Sequence, residues 1–81
     1  MVSDDDLVCR FDGNSVSLEL TNSGDKPAKL EFECVYNLED GTQHKTSGST
    51  SLLSGQSFST NAEETKAKVL GIAAKSLFEA E

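Results

Sequence analysis

The sequence predicts an all-β fold, a small antiparallel β-sandwich of six or seven strands. Single glycines and one proline divide the chain into segments of strand length. The 81 residues, with four Phe, one Tyr and no Trp, suffice for one domain with a thin two-layer core. Apolar side chains occupy every second position of one stretch, which places them on one face of a central strand: Leu30, Phe32, Cys34, Tyr36 and Leu38.

The first half of the chain predicts a hairpin followed by this central strand. Residues 7–11 and 16–20 alternate apolar with other side chains, and the D-G-N sequence between them tolerates the positive φ of a tight turn. The segment 22–27 is dense in turn formers, and Pro27 cannot donate to a ladder. It therefore leads into the central strand, which Asp40 and Gly41 close with a second turn.

The segments after Gly41 are shorter and more polar. Residues 42–46 predict a short edge strand, on which His44 and Lys45 would discourage pairing with other molecules. Residues 47–51 predict a flexible polar connection. Leu52 and Leu53 are expected to pack into one open end of the core, and residues 56–60 predict another strand.

The last twenty residues carry conflicting signals. A capping-box pattern from Thr60 to Glu63 and an Ala, Lys, Leu and Glu-rich composition favour a C-terminal helix. Gly71 and the apolar run 69–74 favour an interior strand, which the second layer of a sandwich also needs. We predict a strand from 65 to about 74, with the helix as the alternative. The domain then spans 7–78, between a flexible acidic tail at 1–6 and a short tail at 79–81.

The two cysteines leave two possibilities open. Cys9 and Cys34 both fall on the apolar phase of their strands. On facing sheets they would form a disulfide that closes a loop of about 25 residues and contributes roughly 3 kcal/mol. That bridge would indicate a secreted or envelope protein, because the cytoplasm keeps thiols reduced. In a cytoplasmic protein the two residues would instead be small buried apolar side chains.

Charge excludes several classes of function. Fourteen acidic against seven basic residues give a net charge of −7, so there is no basic stripe for nucleic acid or for an anionic membrane surface. No apolar run approaches the roughly 18 residues of a membrane span. His44 is the sole histidine, and the Asp4 to Asp6 run lacks the alternating ligands of a calcium loop. We therefore expect no enzyme, no cofactor and no metal site.

Turn and strand residues follow one another in a fixed order between residues 16 and about 58: Leu20, Asn22, Gly24, Pro27, Phe32, Tyr36, Asp40, Gly41, Leu53, Gly55 and Phe58. This order resembles small immunoglobulin-like sandwich domains of the FxLYD and CARDB kind. This chain has Leu38 where that kind usually has Asp, and Ser54 where it has Pro. The resemblance implies an immunoglobulin-like sandwich and a binding or accessory module, commonly in envelope or secreted proteins, with no catalytic residues.

Four outward-facing glutamates are the candidate contact residues: Glu19, Glu31, Glu33 and Glu39. Together with the exposed edge strands, they predict a non-catalytic module that binds another protein, one with a basic surface. The alternative is a small phage-type inhibitor that mimics nucleic acid and blocks a basic groove of a nucleic-acid enzyme. Salt separates the two, since mimicry weakens steeply with ionic strength and strand pairing does not.

Overall fold

The structure, a computed structural model, describes residues 4 to 80 and is built of antiparallel β-strands. Within this range there is no α-helix, and no helix that is long and apolar enough to cross a membrane. A 3₁₀ turn at Asp4–Asp6 precedes seven strands: β1 (Leu7–Asp12), β2 (Ser15–Thr21), β3 (Ala28–Leu38), β4 (Gln43–Leu52), β5 (Ser57–Ser59), β6 (Glu63–Glu64) and β7 (Val69–Ala80). The all-β prediction is confirmed, with seven strands.

The strands form two antiparallel sheets. In the first sheet β2 lies between β1 on one side and β5 and β6 on the other. In the second sheet β3 lies between β4 and β7. The predicted hairpin is β1 and β2, turning at Gly13 with a φ of 63°. The predicted central strand is β3, and Gly41 with a φ of 86° turns it into β4.

The core lies between the two sheets and is made of alternate residues from each. The five apolar residues predicted to share one face of β3 are all buried. Tyr36 is fully buried, and its hydroxyl donates to the backbone oxygen of Ser17 at 3.0 Å. Burial raises the pKa of that phenol above its ordinary value. This hydrogen bond joins the second sheet to the first through the middle of the core.

A covalent bond also joins the two sheets. Cys9 of β1 and Cys34 of β3 form a disulfide with a Cα to Cα distance of 6.0 Å and a sequence separation of 25 residues. Cys34 is fully buried and Cys9 is 8 % exposed. Of the two possibilities left open by the sequence, the structure therefore has the bridged pair.

Buried Asn22 holds the turn after β2 to the end of β4. Its Nδ2 donates to the backbone oxygens of Lys26 at 2.8 Å and Leu52 at 3.1 Å, while its Oδ1 accepts from the backbone N–H of Gly24 at 3.0 Å. A buried amide is tolerated only when its donors and acceptors are paired. Asn22 meets that condition, which explains why a polar residue sits where the two sheets meet.

The edge strand predicted at residues 42–46 is the first part of β4, which ends the second sheet. The prediction for residues 47–51 is wrong, because β4 runs without interruption from Gln43 to Leu52. The stretch expected to be a flexible connection pairs with β3 throughout. Gly48 fits opposite Phe32, since a Cβ at position 48 would lie 2.9 Å from the ring. Leu52 is buried as expected, whereas Leu53 is 62 % exposed and does not pack into the core.

The C-terminal segment is a strand and not a helix. It begins at Val69, later than predicted, and continues to Ala80, so all but Glu81 of the predicted tail belongs to β7. The register with β3 shifts twice, which leaves Ala73 and Leu70 without a direct partner. At the other end, Asp4–Asp6 of the predicted tail form the 3₁₀ turn. Residues 1 to 3 and Glu81 lie outside the described range.

The disulfide gives a stability prediction. Replacing both cysteines (Cys9→Ala with Cys34→Ala) is expected to lower the free energy of unfolding by about 3 kcal/mol, because the unfolded chain gains the entropy of an open loop. Urea denaturation under non-reducing conditions measures the change. The unmodified protein in reductant is the matched comparison and should lose a similar amount. Equal midpoints for the double variant and the oxidised protein would contradict a structural role for the bridge.

Candidate interaction surface

Three rows of side chains cross the outer face of the second sheet. Residues paired directly in neighbouring antiparallel strands project from the same face. The odd-numbered residues of β3 alternate with its buried residues and therefore face outward. The rows, each given in the order β4, β3, β7, are Ser49, Glu31 and Phe78; Ser47, Glu33 and Ser76; and Lys45, Val35 and Ala74.

A shallow concavity of about 390 Å³ lies on this face. Small side chains of β4 and β7 form its floor, and the longer side chains of Glu31, Glu33 and Phe78 line its sides. Phe78, near the end of the outer strand β7, is 61 % exposed. The concavity therefore offers carboxylates and an aromatic ring to the same ligand group. Its lining is Glu31, Phe32, Glu33, Ser47, Gly48, Ser49, Ser76 and Phe78.

The charge on this face is mixed. Lys45 Nζ lies 4.0 Å from Glu33 Oε2, and both side chains are well exposed, so the ion pair adds little to stability. Lys29 lies two residues before Glu31 on the same face of β3. The two glutamates thus sit between two lysines.

The four predicted contact glutamates do not come together. Glu19 lies on the outer face of the first sheet, on the opposite side of the molecule from Glu31 and Glu33. There its carboxylate is 3.7 Å from Arg10 and accepts a hydrogen bond from Ser59 at 3.3 Å. Glu39 lies in the turn after β3, beyond the sheet face. Only Glu31 and Glu33 form a pair on one surface.

Backbone hydrogen bonds on β3 alternate between its two neighbours. Leu38 N donates to Thr42 O at 2.9 Å on the side of β4, whereas Glu39 N donates to Lys68 O at 2.9 Å on the side of β7. In an antiparallel pair, residues that exchange bonds alternate with residues that do not. The even-numbered residues of β3 therefore bond to β4, and their partners in β4 are also even-numbered.

The odd-numbered residues of β4 consequently turn their N–H and C=O groups away from β3. We call this the β4 edge. No strand of residues 4 to 80 pairs with it, because β4 ends the order β4, β3, β7. The register of β4 on β3 is also unbroken from end to end, so the edge is regular over its length. Its residues, all exposed, are Gln43, Lys45, Ser47, Ser49 and Ser51.

The other end of the second sheet is covered instead of open. Lys75 of β7 donates from Nζ to the backbone oxygen of Leu7 at 3.0 Å. Farther along, Val69 N donates to Gly13 O at 2.8 Å. These contacts hold β1 alongside β7, and the two register shifts of β7 further disrupt its outer side. The β4 edge is therefore the more accessible of the two.

A polar cluster closes the inner side of β4 against β6. Glu63 Oε1 accepts a hydrogen bond from the hydroxyl of Thr46 at 2.9 Å and lies 3.3 Å from His44 Nε2. The Thr46 hydrogen bond, followed by that of His44, lowers the pKa of Glu63 below its ordinary value. His44, expected on a solvated edge, is thus partly covered, with 26 % of its side chain exposed. The cluster holds β4 to the first sheet and leaves its edge groups free.

Sequence reasoning missed the residues that give this surface its shape. Phe78 was left at the end of the domain, because the last strand was expected to stop near residue 74. Ser47 and Ser49 were assigned to a flexible connection, since their stretch has no apolar period. The one signal for the second half of β4 was the regular alternation of Thr46, Gly48 and Thr50 with serines.

Within residues 4 to 80, no group of three or more His, Cys, Asp or Glu side chains is placed to hold a metal ion. Comparison of the chain with protein-family models, with curated proteins and with solved structures finds no significant match. The β4 edge and the face beside it are therefore the features that bear on function.

The Glu63 cluster gives a pH prediction. The pKa of Glu63 is lower in the folded protein than its ordinary value of 4.5. The stabilisation that ionised Glu63 contributes is therefore present above pH 4.5 and is lost as the pH falls through the lower pKa of the folded state. We expect Glu63→Gln to reduce the acid sensitivity of unfolding below about pH 4.5, and to lower stability slightly at neutral pH. Urea denaturation across this pH range measures the free energy of unfolding of each variant. Glu64→Gln, with the same loss of charge at the neighbouring position, is the control. Identical pH profiles for both variants would refute the assignment.

Proposed function

We propose that this chain is a non-catalytic protein-binding or assembly module, an immunoglobulin-like sandwich that binds an extended segment of another chain at the β4 edge. The observation that carries this proposal is the edge itself, which spans ten residues in unbroken register with outward N–H and C=O groups. An extended segment placed there would continue the ladder of the second sheet. Main-chain hydrogen bonds then supply affinity, and side-chain pockets supply specificity.

The outer face beside the edge supports selective binding. A strand added to β4 would place alternate side chains next to Ser47 and Ser49, whose small size leaves the concavity accessible. A long side chain crossing them reaches Glu31 and the ring of Phe78. A cation suits both groups, since carboxylates pair with it and an aromatic face attracts it. This fits a partner that places a basic side chain at that position.

The placement of charge favours strand addition over mimicry of nucleic acid. A mimic needs a row of carboxylates facing one way. Here Glu31 and Glu33 are flanked by Lys29 and Lys45, and Glu19 faces the opposite side. Strand addition requires no such row.

The disulfide supports a location outside the cytoplasm, because such bridges persist in oxidising compartments. Protein purified from its native source under non-reducing conditions is therefore expected to show no free thiol after unfolding. Thiol titration in denaturant measures this, with a reduced sample as the positive control. Two free thiols per chain would place the protein in a reducing compartment and leave the binding proposal to stand on the edge alone.

Strand addition predicts that a single proline abolishes binding. The N–H of Ser49 points outward and is not used within the sheet, so Ser49→Pro leaves the internal ladder intact. Ser49→Ala is the matched control, because it removes the hydroxyl and keeps the N–H. Each immobilised variant is challenged with extract of the native source. Proteins retained by the wild type and by Ser49→Ala are expected to be lost with Ser49→Pro.

Salt then separates the two functional hypotheses. Binding by strand addition should persist between low and moderate ionic strength, because backbone hydrogen bonds are weakly screened. Retention of basic nucleic-acid enzymes by all three proteins, with loss at moderate salt, would support mimicry and overturn strand addition. Circular dichroism of Ser49→Pro must show the β-sheet signal of the wild type for the comparison to count.

A further inference from the structure

The β4 edge is symmetric about its own centre. Its outward residues begin at Gln43, end at Ser51 and have Ser47 in the middle. A second β4 strand laid antiparallel across the edge, with Ser47 facing Ser47, pairs every outward residue with another outward residue. Each such pair exchanges two backbone hydrogen bonds. No other antiparallel register of β4 on itself pairs all five residues.

We propose that the occupant of the β4 edge is a second copy of this chain. The two copies pair through β4 in this register, about a two-fold axis at Ser47, and the two second sheets become one six-stranded sheet. This inference rests on the proposed function and names its partner. A two-fold axis makes the contact closed, so the assembly stops at a dimer.

Charge selects the same register. With Ser47 facing Ser47, Lys45 of the second copy lies opposite Ser49, and Ser49 pairs with Glu31 in the next strand. The lysine side chain crosses the small serine and reaches the Glu31 carboxylate in the concavity, beside the exposed ring of Phe78. The two-fold axis repeats this lysine–glutamate contact, so the dimer contains it twice. The concavity therefore receives a cation from a defined position on the partner.

The neighbouring registers place like charges together. Sliding the second strand so that Ser47 faces Ser49 puts Lys45 opposite Ser51, whose partner in β3 is Lys29. Sliding it the other way makes the two Lys45 side chains diagonal neighbours on one face, within about 7–8 Å. Both arrangements also leave outward residues unpaired at the ends. The number of paired outward residues and the placement of charged side chains thus favour the same register, with Ser47 facing Ser47.

The test is the mass in solution. Sedimentation equilibrium of the full chain, from micromolar to millimolar concentration, is expected to show the 8.7 kDa chain associate to twice its mass and no further. Ser49→Ala should behave like the wild type, and Ser49→Pro should remain monomeric while retaining its fold by circular dichroism. A wild type that stays monomeric throughout, or a Ser49→Pro variant that still dimerises, overturns the inference.

A charge swap tests the register independently of proline. Lys45→Glu and Glu31→Lys should each weaken the dimer about tenfold or more, since each places like charges together at both symmetric contacts. The double variant, with both changes, should recover most of the affinity. Lys29→Glu, which changes a lysine on the same face outside the contact, should leave the dimerisation constant unchanged. Failure of the double variant to recover, or tighter binding by Lys29→Glu, rules out this register.

The outcomes for the dimer and for the proposed function are distinguishable. A monomeric wild type whose captured proteins are retained by Ser49→Ala and lost with Ser49→Pro excludes self-pairing and keeps strand addition by another chain. A dimer whose affinity is insensitive to Ser49→Pro excludes both the proposed register and the use of the β4 edge.

Discussion

The packing of alternate β3 residues against the first sheet is the constraint on which the rest of the structure depends. Tyr36 and Cys34 are fully buried, one hydrogen-bonded to β2 and the other bonded to β1. A strand has a period of two, so once these residues point inward, the directions of all the remaining side chains on β3 are also determined. The same alternation fixes which backbone groups bond to β4 and which to β7. The outward direction of the backbone groups at the β4 edge is thus a consequence of how the neighbouring strand β3 packs into the core.

The two open sides of a sandwich are treated differently in this molecule. Between β1 and β7, Lys75 and Val69 donate hydrogen bonds across the gap, and register shifts interrupt the regularity of β7. Between β6 and β4, the Glu63 cluster joins the sheets from the inner side only. An added strand approaches in the plane of the sheet, where this cluster does not lie. The side at β7 is therefore closed to strand pairing, whereas the side at β4 is held to the first sheet and is still accessible.

Sequence reasoning found the elements with a strong apolar period and missed those without one. The hairpin and β3 follow from alternation, because half of their residues are buried and apolar. Residues 47–51 are polar on both faces, and the fit of Gly48 against Phe32 involves residues distant in sequence. The end of β7 was missed because apolar residues occupy both of its faces: Leu77 is buried, whereas the adjacent Phe78 is 61 % exposed. Alternation also identified Glu19 and Glu31 as outward-facing, but it carries no information on which sheet each would join.

The composition of β4 limits unselective pairing at its open edge. A long, flat and apolar edge pairs with any exposed strand and promotes aggregation. The outward residues of β4 are instead polar and small, apart from Gln43 and Lys45. Backbone pairing alone is then a weak and unselective attraction, to which the net charge of −7 adds a general repulsion. In the proposed pairing, a cation that reaches Glu31 offsets that repulsion locally, so the position of charge would favour one partner and one register over others.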